Sequence, residues 1–261
     1  DHFRLMVGNA ALKRDLAHIR NHVPHEADIR ITDVSGDLAV LGLNGPDSAA
    51  IADALGAGWM NDIAYFRHAE GVIGEVSVRA ARLSYVGEAG WELTCAASDA
   101  PRLFAALKGA GAVPVGAFAQ TSMRIEKGFL AYGHDLDTDV TPAMAGLDFA
   151  LASDKDFIGK AALAACGAPS SRLVSLAFDD ESAVPLGNEP VMAGDRIIGK
   201  TTSAAFGYRV GRPVAIAQIT SEDVADGAVA TVNIGGEIAG CRMSVGPLFD
   251  PSGGRMRPER R

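Results

Sequence analysis

The chain is short of sulfur, of aromatic rings and of positive charge. Only three cysteines occur in 261 residues. Cys95, Cys166 and Cys241 lie too far apart for the paired spacing of a zinc site, and their odd number predicts free thiols in a reducing, cytoplasmic setting. Lysine and arginine total 24 against 32 acids, a formal net charge of −8. Nucleic acid is therefore not an expected partner, because phosphate binding needs concentrated cations. No apolar run approaches the ~20 residues that would cross a bilayer, so no membrane association is expected. The Gly-x-Gly-x-x-Gly dinucleotide fingerprint is also missing. Asp1-His-Phe-Arg4 carries neither an initiator methionine nor a basic leader, and the sequence is expected to begin inside a longer protein.

Apolar residues make up 48% of the chain, enough to bury one large core or two smaller ones. Phe3–Val7 reads as a strand, and Leu12, Leu16, Ile19 and Val23 follow at helical spacing before Pro24. His18 and His22 share a face of that helix and read as surface histidines, so no metal site is expected. Ile29, Ile31 and Leu38–Leu43 read as strands about a turn at Ser35–Asp37. Asp47 or Ser48 is placed to cap a helix over 49–55. Ser98-Asp-Ala-Pro101 starts a further helix with Leu103, Phe104 and Leu107 inward, and another is expected from Ala117 to Lys127, stopped by Gly128. After Gly167-Ala-Pro-Ser-Ser171 helical periodicity gives way to short strand candidates. These are Leu173–Phe178, Pro190–Met192, Arg196–Thr202, Pro213–Thr220 and Ala228–Ile234, with hairpin turns at Ala193-Gly-Asp195 and Gly235-Gly236. The expected fold is α+β: mainly antiparallel sheet with helices over residues 1–167, followed by a small all-β barrel domain over residues 171–261.

Ser84-Tyr-Val-Gly-Glu-Ala-Gly-Trp-Glu92 places the carboxylate of Glu88 in a glycine-bracketed turn between two strand-like runs. Gly87 and Gly90 open backbone angles closed to other residues and leave room for a flat ligand. A carboxylate there can accept two parallel N–H bonds, as from a guanidinium or a 2-aminopyrimidinone ring. The same turn also reads as a plain hairpin whose acid points at water. The basic stretch Arg255-Met-Arg-Pro-Glu-Arg-Arg261 reads as a solvated end.

Downstream come Thr121-Ser-Met-Arg-Ile-Glu-Lys-Gly-Phe-Leu-Ala-Tyr-Gly-His-Asp135, Thr141-Pro-Ala-Met-Ala-Gly-Leu-Asp-Phe149 and Lys155-Asp-Phe-Ile-Gly-Lys160. Upstream lie Asp1–Asn9 and Gly42-Leu-Asn-Gly-Pro-Asp47. In this order, over essentially the whole chain, the pieces resemble the folate-binding aminomethyltransferase superfamily of the glycine-cleavage T-protein. They are most similar to the C-terminal part of dimethylglycine and sarcosine dehydrogenases.

The resemblance implies that tetrahydrofolate is bound and takes up a one-carbon unit from a methylated amine or aminomethyl donor. It assigns Glu88 to the pterin ring. Tyr85 shares that turn and could stack on the ring, or be a half-buried strand aromatic. Arg124 could neutralise Glu88 or hold the folate tail, or pair with another acid. Tyr132, with His134 and Asp135, lies in a glycine-flanked loop that lines the pocket or is ordered for its own sake. Phe66 could supply an apolar wall, or be ordinary core packing. T-proteins carry an arginine where this chain has Gln120, which favours the dehydrogenase-linked relatives. No catalytic residue is assigned: the family's assisting aspartate lies upstream of Asp1, and Asp33, Asp37 and Asp135 do not fill its place. FAD is implied only if an N-terminal dehydrogenase domain precedes this region, as a further domain or another subunit. A noncatalytic folate-binding regulatory module and a folate-dependent O- or S-demethylase stay open as alternatives.

Overall fold

The computed structural model describes residues 2–257. The first half is built on a four-stranded antiparallel sheet in the order β1-β4-β3-β2, from β1 (Leu38–Asn44), β2 (His68–Ile73), β3 (Val76–Ala81) and β4 (Gly90–Ala96). Period-two alternation fixes which face is buried. Val76, Val78 and Ala80 of β3 and Trp91, Leu93 and Cys95 of β4 all enter one core, and β3 meets β4 with Ala80 opposite Leu93. The helix α1 (Leu12–Asn21) precedes the sheet, and α2 (Ser48–Ala54) follows β1. Neither Asp47 nor Ser48 caps α2 through its side chain. Instead the Ser48 hydroxyl donates to the Ala89 carbonyl at 3.2 Å, tying this helix start to the Glu88 turn.

The helix α3 (Ala100–Gly109) opens with Pro101 in its first turn. It buries Leu103 and Leu107, spaced to share one face, against the sheet core. Phe104 is exposed, contrary to the expectation of an inward position. A hundred degrees of helical rotation carries it off the stripe that Leu103 and Leu107 define. Next, α4 (Ala117–Glu126) ends at Gly128, whose φ of 67° supplies the left-handed stop.

Two expected strands are not formed: Phe3–Val7 and Ile29–Ile31 belong to no strand or helix. Ser35–Asp37 is therefore a turn leading into β1 and not a hairpin. β-branched and aromatic content makes a strand only where another strand receives its hydrogen bonds.

After α5 (Lys160–Ala165) the chain enters a closed barrel in the order β10-β5-β8-β7-β6-β9. Its strands are β5 (Ser171–Phe178), β6 (Pro190–Ala193), β7 (Arg196–Gly207), β8 (Arg212–Thr220), β9 (Val229–Ile234) and β10 (Glu237–Ser244). Closure leaves no exposed strand edge. The two faces of β8 have different uses. Ala215, Ala217 and Ile219 fill the barrel, while Val214 and Ile216 pack outward on Ile125 of α4. This contact seats α4 on the barrel wall and makes it the joint between the two halves.

Candidate functional site

The joint is lined with buried charge. Arg124, Glu126 and Lys127 at the end of α4 are all buried, yet successive positions point to different neighbours. Arg124 donates to Asp135 Oδ2 at 2.5 Å, to the Ser203 hydroxyl at 2.7 Å and to the Phe129 carbonyl at 3.2 Å. A register shift in β7 between Thr201 and Ser203 turns consecutive side chains toward this loop. Thr202 thus donates to Asp135 Oδ1 at 2.5 Å, next to Ser203. Asp135 in turn accepts the Ala131 amide at 2.8 Å and so orders the loop that carries Tyr132.

Glu126 is fully buried and turns the other way, as residues two apart on a helix must. It accepts the Arg209 and Val210 amides at 2.6 and 3.0 Å and Arg209 Nε at 2.6 Å. Arg209 sits at the β7–β8 hairpin tip and continues to the carbonyls of Val86, at 2.8 Å, and Met123, at 2.7 Å. Its guanidinium also covers the Phe249 ring, 3.9 Å from the centroid. Lys127 pairs with Asp250 at 2.9 Å and donates to the Asp250 carbonyl as well. Burial pushes the Asp250 carboxyl up, but the Lys127 hydrogen bond and the Arg255 and Gly254 amides outweigh it and hold the acid below its ordinary range.

Glu88 completes this set. It is only 8% exposed, and Arg255 Nε lies 2.9 Å from each of its oxygens. Arg209 stands 3.5 Å from Oε1. The hydrogen bond to Glu88 raises the Arg255 guanidinium above its ordinary range. The bracketing glycines do not leave open space: a Cβ at Gly87 would meet Lys127, and one at Gly90 would meet the Leu43 carbonyl. They let the turn press against α4 and β1. Arg255 and Arg257 are exposed, as a solvated end would be, but the segment also makes specific contacts. Arg255 grips Glu88, Met256 is buried, its sulfur accepting from the Tyr65 hydroxyl at 3.7 Å, and Arg257 lies over the Tyr65 ring. Pro258–Arg261 lie outside the described residues.

The other sequence candidates fall around this centre unevenly. Arg124 does not reach Glu88 as a partner; Asp135 takes it, and the pair is shielded from water on both sides. Tyr85 donates to the Leu130 carbonyl at 2.9 Å and stacks nearly parallel with Phe129, and burial raises its phenol above the ordinary value. Tyr132 is half exposed beneath the Arg14 guanidinium. Phe66 is 66% exposed with a φ of 62°, so it is not core packing. Its ring lies edge-on to Tyr65, beside the Met256 contact. Arg209 and Asp250 escaped the sequence reading, and Arg255 entered it only as part of a solvated end. Among the described residues, no cluster of His, Cys, Asp and Glu is suited to a metal ion and no helix is long and apolar enough to cross a membrane.

An α+β half joined through a charged helix to a closed barrel, with a buried acid presented at the joint, defines a T-protein type of fold. The comparisons agree. The model of the GCVT N-terminal domain matches residues 1–155, and that of the glycine cleavage T-protein C-terminal barrel domain matches residues 172–250. The chain belongs to the glycine cleavage T-protein family. An aminomethyltransferase of Rubrobacter xylanophilus is 31% identical over 84% of this chain and 60% of its own length. Human mitochondrial dimethylglycine dehydrogenase is 31% identical over 83% of this chain but 26% of its own. The chain thus spans less than two thirds of the first relative and about a quarter of the second. The crystal structure of the glycine cleavage system aminomethyltransferase T from Bartonella henselae shares the fold, with a TM-score of 0.78 at 22% identity, covering 92% of this chain and 67% of that one.

Proposed function

We propose that the chain binds tetrahydrofolate through Glu88 and serves one-carbon transfer from a methylated amine or aminomethyl donor, as an aminomethyltransferase-type enzyme. One observation carries the reading: Glu88 is a buried carboxylate whose two oxygens share a single N–H donor from a half-exposed side chain. An acid held this way is ready for a ring that offers two adjacent N–H groups, and its burial makes an unpaired state costly. Tyr85, Tyr132 and Phe66 each present exposed ring surface suited to walls of such a site. Arg124 contributes by fixing the loop that carries Tyr132. Tetrahydrofolate, when bound, supplies the amine nitrogen that takes up the one-carbon unit. A carboxylate engaged with the ring cannot also serve as the general base.

The relatives named as aminomethyltransferases and as a dimethylglycine dehydrogenase support an amine-linked donor. A flavin-bearing domain or subunit would accompany the dehydrogenase form. The three free thiols suit the reducing cytoplasm in which we place the protein, and we draw the boundary of its two domains between Gly167 and Ser171. Calorimetry with 5-formyltetrahydrofolate tests the anchor. Glu88→Ala is expected to weaken binding by roughly tenfold or more, the scale of a lost charge-assisted hydrogen-bond pair. Binding unchanged by the substitution rejects the assignment.

A further inference from the structure

We propose that Arg255 is a built-in competitor for Glu88, occupying the ring-binding carboxylate until ligand displaces it. The inference rests on the assignment of Glu88 as the ring anchor. Three observations separate Arg255 from the rest of the network. Its side chain is 49% exposed, whereas that of Glu88 is 10% exposed, so the acid belongs to the fold and the arginine to its rim. Its Nε alone spans both oxygens at 2.9 Å, a three-centre contact that leaves the second acceptor direction of each oxygen without this donor. Its backbone is fixed, with its amide donating to Asp250 Oδ2 at 3.2 Å, so the side chain can swing while the segment stays in place.

Arg209 has the opposite character. Four hydrogen bonds to Glu126, Val86 and Met123 and the Phe249 ring hold it in place. When Arg255 leaves, Arg209 remains 3.5 Å from Oε1 as a fixed cation beside the acid. The base of the segment stays down as well, because Lys127 holds Asp250 and the Phe249 amide donates to the Glu126 carbonyl at 2.9 Å. Only the guanidinium needs to move. Binding is then an exchange of one N–H donor set for another, and the apparent affinity is the intrinsic affinity reduced by the fraction of time Glu88 is free.

The test is calorimetry with 5-formyltetrahydrofolate on the full chain, for wild type, Arg255→Ala and Arg255→Lys, with thermal unfolding of each without ligand. If the pair is closed about nine-tenths of the time, Arg255→Ala tightens binding roughly tenfold. It also lowers the unfolding midpoint, so affinity and stability move in opposite directions. Arg255→Lys, a weaker fit to the carboxylate, falls between, and it decides the matter if the alanine variant does not fold. p-Aminobenzoylglutamate, which lacks the ring, is expected to bind all three alike. Affinity that is unchanged or weaker in both variants overturns the inference. If Glu88→Ala abolishes binding while Arg255→Ala fails to tighten it, the anchor survives and only the competitor role falls. Absence of binding in every variant removes both.

Discussion

Arg209 and Glu126 meet across the joint as a two-point fork, amide to Oε1 and Nε to Oε2, both at 2.6 Å. The residues are 83 positions apart, one at a barrel hairpin tip and the other at the end of α4. The pair sets the position of the Glu88 turn, because the same guanidinium donates to the Val86 carbonyl.

Removing the cation should therefore be felt throughout the joint. Arg209→Met leaves Glu126 buried without its charge partner, a defect that costs about 3–5 kcal/mol in comparable cases. Chemical denaturation is expected to show that loss. A change under ~1 kcal/mol would mean that water reaches the acid and that the joint is looser than its geometry.

Gly90 permits a backbone approach that no side chain allows. A Cβ there would stand 2.2 Å from the Leu43 carbonyl oxygen, at the register point where Asn44 pairs with Gly90. Gly90→Ala is expected to destabilise by roughly 3 kcal/mol or more. Gly36→Ala, where nothing lies within 4 Å, is the matched control and should stay within about 0.5 kcal/mol.

Acid should release the segment that carries Arg255. Asp250 has a folded-state value held below its ordinary one. Its stabilising pairing with Lys127 is therefore fully present above the unfolded value of roughly 4 and lost as pH falls through the lower folded value. Amide protection at Gly253–Arg257, taken relative to the intrinsic exchange rate at each pH, is expected to fall below about pH 4 in wild type. In Asp250→Asn the protection should be low already at neutral pH and change little with acidity.

The thiols sort by burial. Cys166 is exposed, while Cys95 and Cys241 are buried. Burial pushes Cys241 up to about 12, and it raises Cys95 too. An aromatic disulfide reagent at mildly alkaline pH should titrate one thiol in the native protein and three after unfolding. Rapid reaction of a second native thiol would contradict the packing of the two cores.

Local pattern revealed much of the scaffold. Alternation in Val76–Ala80 and Trp91–Cys95, the stop at Gly128 and the glycine turns of the barrel are all set by near neighbours in sequence. The last strand, Glu237–Ser244, escaped because Glu237-Ile-Ala-Gly-Cys241 has weak alternation and earns its place only by closing the barrel between β9 and β5. Phe3–Val7 failed for the converse reason, with strand-like residues and no strand beside them. At the site, Glu88 stood out by its own turn, but Arg255 lies 167 positions away. A pairing created by tertiary packing leaves no periodic trace between its two halves.

The return of the C-terminal segment to Glu88 and Tyr65 also sets an order of events during synthesis. Glu126 and Lys127 are made long before Arg209, Asp250 and Arg255 exist. Until those last residues leave the ribosome, the end of α4 carries charges that have no cationic or anionic counterpart and cannot be dehydrated. The first half can form its sheet early, as segments of larger proteins tend to do. The charged joint between the two halves is complete only once the barrel and the segment through Arg255 have been translated.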